Sequence, residues 1–313
     1  MVGVAGCGSS ERDEDTSETD RGDGTPTGDA ATSTDGSDAA TAADLNRGSL
    51  PAGALWLAPV RDPPGFAPGR YFRQVSVGSV AAAESSLHPA VFDELSGELW
   101  DRPERLFGVS SDAIDVKYQV PGENVRVFEG SFDPDAVGEY LGRPYEEVGE
   151  RGGLRLFARD LRRGERLVAV DDRYLLAGGR EDATTAIRAR FGPDEPLALV
   201  DEHVWTAANE VRGADLLSVT DRYNEGRRGP LSDVAARAIA WSFEGDRVRL
   251  RAPFVFFERG IADPDVVRAW TDEFGGLQTY EDLSIERDGA VVTVDATTPV
   301  ELFDRGVSGR PGE

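Results

Sequence analysis

Asp201-Glu202-His203 is the stretch of the sequence whose residue types best suit acid–base catalysis. An imidazole next to a carboxylate can act as a general base that the acid orients. The chain has 2 histidines, and the other, His88, stands before Pro89 in a distant part of the sequence. A histidine beside a predicted helix end is more often structural or exposed than catalytic. We therefore predict no catalytic residue.

Carboxylates are too numerous to identify a hydrolytic pair. Glycosidase-like chemistry needs two acids at a set separation in a cleft, and the chain offers 58 Asp and Glu. Serine-hydrolase elbows, phosphate-binding loops, dinucleotide fingerprints, zinc-protease motifs and calcium loops are absent from the sequence. The sequence therefore predicts no cofactor-binding and no metal-binding residue. It favours a protein that is not an enzyme, without excluding one.

Cys7, the only cysteine, carries the clearest chemical signal. It follows Val4-Ala5-Gly6, and this pattern resembles the lipobox of bacterial and archaeal lipoproteins, which are cleaved before the cysteine and lipidated on its thiol. A complete signal peptide needs an apolar stretch of about 7–15 residues, so we interpret residues 1–7 as the remnant of one that starts upstream. Cys7 is the predicted lipidation site. A free cysteine in a disordered tail is the alternative.

Residues 8–48 form an acidic stretch rich in Ser, Thr and Gly with almost no large apolar side chain. Such a composition cannot bury enough surface to offset its ordering entropy, so we predict a disordered tether. Placed after a lipidated cysteine, it would hold the body of the protein away from the membrane. One acyl chain anchors only marginally, so stable attachment implies two chains or an archaeal diether lipid.

Acidic residues dominate the charge of the chain. The 58 Asp and Glu exceed the 34 Lys and Arg, which gives a net charge of -24. This charge repels nucleic acid. Lys117 is the only lysine, and the composition resembles that of proteins from extreme halophiles. In molar salt the Debye length falls to about 3 Å, so a dense carboxylate surface stays hydrated without severe self-repulsion. We therefore interpret the acidity as an adaptation for solubility.

The rest of the chain predicts an α+β fold of antiparallel sheets with helices on one face. Leu55-Trp56-Leu57 and residues 71–77 predict strands, and residues 89–99 predict a helix. The predicted domains are a first α+β subdomain, a second one and a disordered tail, over residues 50–225, 231–304 and 305–313.

Two stretches, 113–160 and 236–297, repeat the same order of landmarks. Each predicts a hairpin, then a helix that starts at an Asp-Pro-Asp sequence, then a second hairpin. Trp241 and Trp270 hold matched places in the second copy and are predicted to be core residues. We therefore predict an internal duplication of a β-β-α-β-β unit, with a helical insertion between the copies.

The lipobox, the tether and phrases such as Phe128-Glu129-Gly130-Ser131-Phe132-Asp133 resemble uncharacterised secreted lipoproteins of halophilic archaea. The resemblance implies a lipid-anchored, non-enzymatic protein on the extracellular face of the cell membrane, with an envelope protein or a small ligand as partner. A substrate-binding component of a transporter and a secreted carboxylate-dependent hydrolase are the alternatives. If Cys7 is not lipidated, a cytoplasmic halophilic protein becomes the default.

Overall fold

The structure of the protein is a computed structural model. It describes residues 52–56, 71–99, 103–119, 125–162, 164–192, 196, 198, 201–221, 231–273 and 277–303. Cys7, the predicted tether at 8–48 and the predicted tail at 305–313 lie outside the described residues.

The strands form one antiparallel sheet of 12 strands, and both candidate repeat units contribute to it. The spatial order is β11-β12-β10-β9-β8-β1-β2-β3-β7-β6-β5-β4. The strands are β1 Tyr71–Ser76, β2 Ile114–Gln119, β3 Arg126–Gly130, β4 Glu146–Arg151, β5 Leu154–Leu161, β6 Gly164–Val170, β7 Tyr174–Gly179, β8 Leu216–Asp221, β9 Val234–Glu244, β10 Arg247–Phe256, β11 Glu281–Asp288 and β12 Val291–Pro299.

Helices lie between these strands, and several begin where the sequence predicts a cap. The α-helices are α1 Val77–Ala83, α2 Pro89–Leu99, α3 Pro103–Phe107, α4 Pro134–Leu141, α5 Arg180–Phe191, α6 Glu202–Glu210 and α7 Pro264–Glu273. Asp133 caps α4, because its carboxylate accepts hydrogen bonds from the backbone N–H of Asp135 at 2.9 Å and of Ala136 at 3.2 Å. Asp263 accepts from the N–H of Asp265 at 2.9 Å at the start of α7.

The predicted hairpins form where the sequence places them. In the hairpin of β9 and β10, Glu244 pairs with Arg247 across a turn in which Gly245 has a φ of 69°. A residue with a side chain is strained at such a φ, which explains the glycine. The predicted hairpin of β6 and β7 and the predicted strand β8 are also present.

The core occupies both faces of the sheet. Along β7, Tyr174 and Leu176 belong to one buried cluster, and Leu175 and Ala177 belong to the other. Helices α5 and α6 cover the first of these faces, which we call the front face, and α1, α2, α4 and α7 cover the opposite back face. The prediction of an α+β fold with an antiparallel sheet is confirmed, but the prediction of helices on one face is wrong. Strands such as β9, whose first eight residues are all buried, need cover on both sides.

The two edge strands, β4 and β11, are exposed over almost their whole length. Both carry an irregularity in their pairing near the N-terminal end, between Glu147 and Gly149 in β4 and between Glu281 and Ser284 in β11. Acidic side chains on both strands discourage pairing with the edge of another sheet. No helix among the described residues is long and apolar enough to span a bilayer.

Trp241 and Trp270 are buried in the back-face core, with 2% and 4% of their surface exposed. The indole Nε1–H of Trp241 donates to the hydroxyl of Tyr280 at 3.1 Å. The prediction that these two tryptophans are core residues is confirmed.

Candidate functional site

The hairpin of β6 and β7 frames the candidate site. In the second half, β12 pairs directly with β10. In the first half, the hairpin of β6 and β7 separates β3 from β5. This hairpin leads into α5, which packs on the front face through Ala183, Ala186 and Ile187. The described part of the second half has no counterpart to the hairpin.

A short segment from the start of the described chain packs against α5 and completes the front-face core. Residues Ala52–Trp56 form a 3-10 helix, not the strand predicted for Leu55-Trp56-Leu57. Ala54, Leu55 and Trp56 are buried, and Trp56 has only 1% of its surface exposed. The strand prediction fails here because the segment lies on the front face of the sheet, between its strands and α5, and is not part of the sheet.

Trp56 belongs to a cluster of three rings, with Tyr174 of β7 and Phe191 of α5. The ring centroids of Trp56 lie 5.4 Å from Tyr174 and 5.5 Å from Phe191, and all three pairs are edge-to-face. This arrangement brings positive ring edges against negative ring faces and stabilises each pair by about 0.5–1.5 kcal/mol. We call Trp56, Tyr174, Arg190 and Phe191 the Trp56 cluster.

Arg190 is the charged member of the Trp56 cluster. Its guanidinium carbon lies 5.6 Å from the centroid of the Tyr174 ring and 5.2 Å from that of Phe191. Its Nη2 donates to the hydroxyl of Tyr174 at 3.1 Å. Among the described residues no carboxylate pairs with Arg190. Other arginines do hold one, among them Arg155, Arg173, Arg180, Arg247, Arg249, Arg251 and Arg268.

Two donors of the Trp56 cluster are buried without a hydrogen-bond acceptor. They are the indole Nε1–H of Trp56 and the Nε–H of Arg190. A buried donor left unsatisfied costs about 1–3 kcal/mol. The cluster therefore has capacity for an acceptor that the docked segment does not supply.

A hydrogen-bond chain borders the cluster on the front face. Tyr118 donates to Oε2 of Glu129 at 2.5 Å, and Nη2 of Arg173 donates to Oε1 of Glu129 at 2.6 Å. Burial raises the pKa of Tyr118 well above its usual value, and the hydrogen bond to Glu129 raises it further. Tyr118 is therefore a neutral donor that holds Glu129 in place, and it is not suited to act as a base.

An open groove lies at the other end of α5, between its first turns and the start of β6. It has a volume of about 890 Å³. Its lining is polar and includes the ion pair of Glu165 and Arg180, with Thr184, Thr185 and Arg188. The groove is open to solvent, and Arg180 in its lining is already paired with Glu165, so it is a weaker candidate than the Trp56 cluster.

The structure places His203 at the start of α6, where Asp201 acts as a cap. Oδ1 of Asp201 accepts from the backbone N–H of His203 at 3.0 Å and of Val204 at 3.2 Å. Nδ1 of His203 is 3.6 Å from the same oxygen, beyond hydrogen-bond distance. The ring packs edge-to-face on Phe257 at 5.8 Å. Asp201 is thus used by the backbone and does not orient the imidazole.

Cys7, the predicted lipidation site, lies outside the described residues. Lys117, the only lysine, is 6% exposed in β2. Among the described residues no group of three or more His, Cys, Asp or Glu side chains is placed to hold a metal ion. Sequence reasoning missed Trp56 and Arg190 as site residues, because Trp56 packs on Tyr174 and Phe191, the partners of Arg190, from a segment that is far away in the chain.

No family model matches the chain, and no curated protein matches it significantly. Crystal structures of TP0453 resemble it at 8–10% sequence identity. Crystal form I gives a TM-score of 0.45 and covers 83% of this chain and 97% of TP0453. Crystal form III gives 0.44 over 82% and 97%, and form IV gives 0.40 over 82% and 96%.

Proposed function

We propose that the protein is a lipid-anchored binding module on the extracellular face of the cell membrane of a halophilic archaeon. Cys7 carries the lipid in this proposal, and residues 8–48 serve as the tether. The body binds an envelope protein or a small ligand and has no catalytic residue, cofactor or metal.

The observation that carries this proposal is the order of segments at the start of the sequence. Val4-Ala5-Gly6-Cys7 is followed by the acidic stretch of residues 8–48, which is rich in Ser, Thr and Gly. The first described segment of the body comes soon after that stretch, and its Ala54 and Trp56 have 0% and 1% of their surface exposed. The acidic stretch would therefore separate a lipid on Cys7 from the body.

A binding role is supported by the asymmetry of the sheet. The hairpin of β6 and β7, α5 and the Trp56 cluster occur in one half of the sheet only, so they are additions to an otherwise repeated scaffold. Function in a family of folds resides in such local sites and not in the scaffold. The two unsatisfied donors of the cluster mark the place where an acceptor would bind.

The scaffold itself is, in this proposal, an internal duplication of a β-β-α-β-β unit. Its support is that β2-β3-α4-β4-β5 and β9-β10-α7-β11-β12 have the same element order. Each copy starts its helix at an Asp-Pro-Asp sequence. Each also contributes one edge strand of the sheet, β4 or β11, which is exposed and irregularly paired. The hairpin of β6 and β7 is then an insertion into the first half.

The anchoring proposal is tested by the mass and the location of the native protein. In a halophilic archaeal host that expresses the gene with its upstream sequence, we expect the protein in the membrane fraction, heavier than its polypeptide by a lipid. The variant Cys7→Ser should leave the membrane fraction and lose that mass. Ser10→Ala, three residues further on, is the matched control and should behave like the parent. A parent protein of bare polypeptide mass in the soluble fraction would overturn the proposal.

A further inference from the structure

We propose that the cleft between α5 and the front face of the sheet, which Ala52–Trp56 fills in this structure, is a binding site for an aromatic carboxylate. The ligand replaces Trp56 when the segment withdraws. This inference deepens the proposed binding role and rests on it, but it does not depend on lipidation of Cys7.

The cleft is already built to hold an aromatic group. Tyr174 and Phe191 present their rings to the indole of Trp56 at 5.4 and 5.5 Å. Phe72, Leu176 and Ile187 belong to the same buried cluster. These walls come from the sheet and from α5, so they remain when the segment leaves.

Arg190 supplies the polar end of the cleft. Its Nη2 donates to Tyr174, and its Nε–H is buried without an acceptor. The Nε and Nη2 edge of a guanidinium is the fork that binds a carboxylate through two parallel hydrogen bonds. Arg190 is half-buried and pairs with no carboxylate among the described residues, although the chain has 58 acidic residues. Arg190 is therefore available to bind the carboxylate of a ligand.

The docked segment is a poor match for this polar end. The indole Nε1–H of Trp56 is also a donor and also lacks an acceptor. Both donors belong to the Trp56 cluster, and one donor cannot satisfy another. An aromatic ligand with a carboxylate would supply the acceptor that Trp56 cannot, so the cluster favours such a ligand over its own tryptophan in hydrogen bonding.

Gly53 provides a way to release the segment without altering the cleft. A methyl group at Gly53 would lie 2.7 Å from Cδ1 of Tyr118 and 3.1 Å from the ring of Phe72. Tyr118 and Phe72 are 1% and 0% exposed, so their rings have little room to move. The variant Gly53→Ala should therefore displace the segment. Gly78→Ala is the matched control, because nothing lies within 4 Å of the added methyl there.

The experiment measures binding of indole-3-acetate to the full chain by isothermal titration calorimetry. Molar salt is used because it screens the net charge of the protein, which would otherwise repel an anion. The uncharged 3-methylindole is the comparison probe. We expect saturable binding of indole-3-acetate to the parent and tighter binding to Gly53→Ala. The affinity of Gly78→Ala should equal that of the parent.

Arg190→Gln tests the carboxylate contact separately. A hydrogen bond to a charged group contributes about 1.5–3 kcal/mol, so this variant and 3-methylindole should each bind at least about tenfold more weakly. Arg190 is partly exposed, so the variant should fold, and circular dichroism checks this.

Binding that Arg190→Gln does not weaken overturns the proposal. So does the absence of saturable binding in both the parent and Gly53→Ala, which would mean that water or the protein's own chain satisfies the donors. Either result leaves the mass test of Cys7 unaffected.

Discussion

Tyr118 and Glu129 show how single residues hold this sheet together. Tyr118 is 1% exposed, and its hydroxyl donates to Glu129, which also accepts from Arg173. The carboxylate is therefore held by a neutral and a charged donor at once. Removing either donor leaves part of the hydrogen-bonding capacity of Glu129 unsatisfied in a largely buried place.

The variant Tyr118→Phe should lower the free energy of unfolding by about 1–3 kcal/mol, because Glu129 then loses a donor in a buried site. Denaturant unfolding with parent and variant measures this. Tyr140→Phe is the control: its hydroxyl donates to the carbonyl of Arg105, but its side chain is half exposed. Its effect should stay within about 0.5 kcal/mol. Equal losses in the two variants would contradict the role assigned to Tyr118.

At the residue scale, the sequence predicts features that depend on neighbouring residues in the chain better than it predicts contacts between distant residues. The cap at Asp133 and the turn glycine Gly245 are visible in the sequence because each depends on its immediate neighbours. The contact of Trp56 with Tyr174 and Phe191 is not visible in the sequence, because it depends on how the front face is covered. Cys7 is a sequence signal that remains a prediction.

At the scale of elements, the sequence likewise predicts local structure but not which strands are neighbours in the sheet. Hairpins were predictable because alternating residues and a glycine turn specify them locally. The insertion of β6 and β7 between β3 and β5 was not, since the sequence of a strand does not identify its neighbours in the sheet. The placement of helices on both faces also depends on this order. It required knowing that β7 and β9 are central strands buried on each side.

Caps provide a test at the scale of elements. Asp133→Ala should destabilise the protein by about 1 kcal/mol, because two backbone donors at the start of α4 lose their acceptor. Asp263→Ala should act in the same way at α7. Glu139→Ala, an exposed change on α4 outside the first turn, should have almost no effect. Thermal and denaturant unfolding of the three variants check this, and a loss with Glu139→Ala as large as with Asp133→Ala would argue against capping.

At the scale of the whole molecule, charge governs stability. The net charge is -24. Folding brings these negative charges closer together, and their repulsion destabilises the folded state unless salt screens it. We expect the melting temperature to fall on transfer from molar KCl to about 0.1 M, where the Debye length grows from about 3 to 10 Å. Sucrose at the same osmolality as the molar salt is the control: it stabilises a folded protein by exclusion but does not screen charge, so it should raise the melting temperature less than KCl does. A melting temperature independent of KCl would refute the halophilic interpretation.

The burial of Lys117 makes the side chains of the folded protein unreactive toward amine-directed reagents. As the only lysine, and 6% exposed in β2, it leaves the folded chain without an accessible side-chain amine among the residues of the sequence. Amine-directed cross-linkers would thus find no side chain to react with on the folded protein, and carboxylate-directed reagents are the appropriate choice. Conversely, acylation of that single side-chain amine would show that the centre of the sheet has opened, so one modified peptide in a mass spectrum reports unfolding.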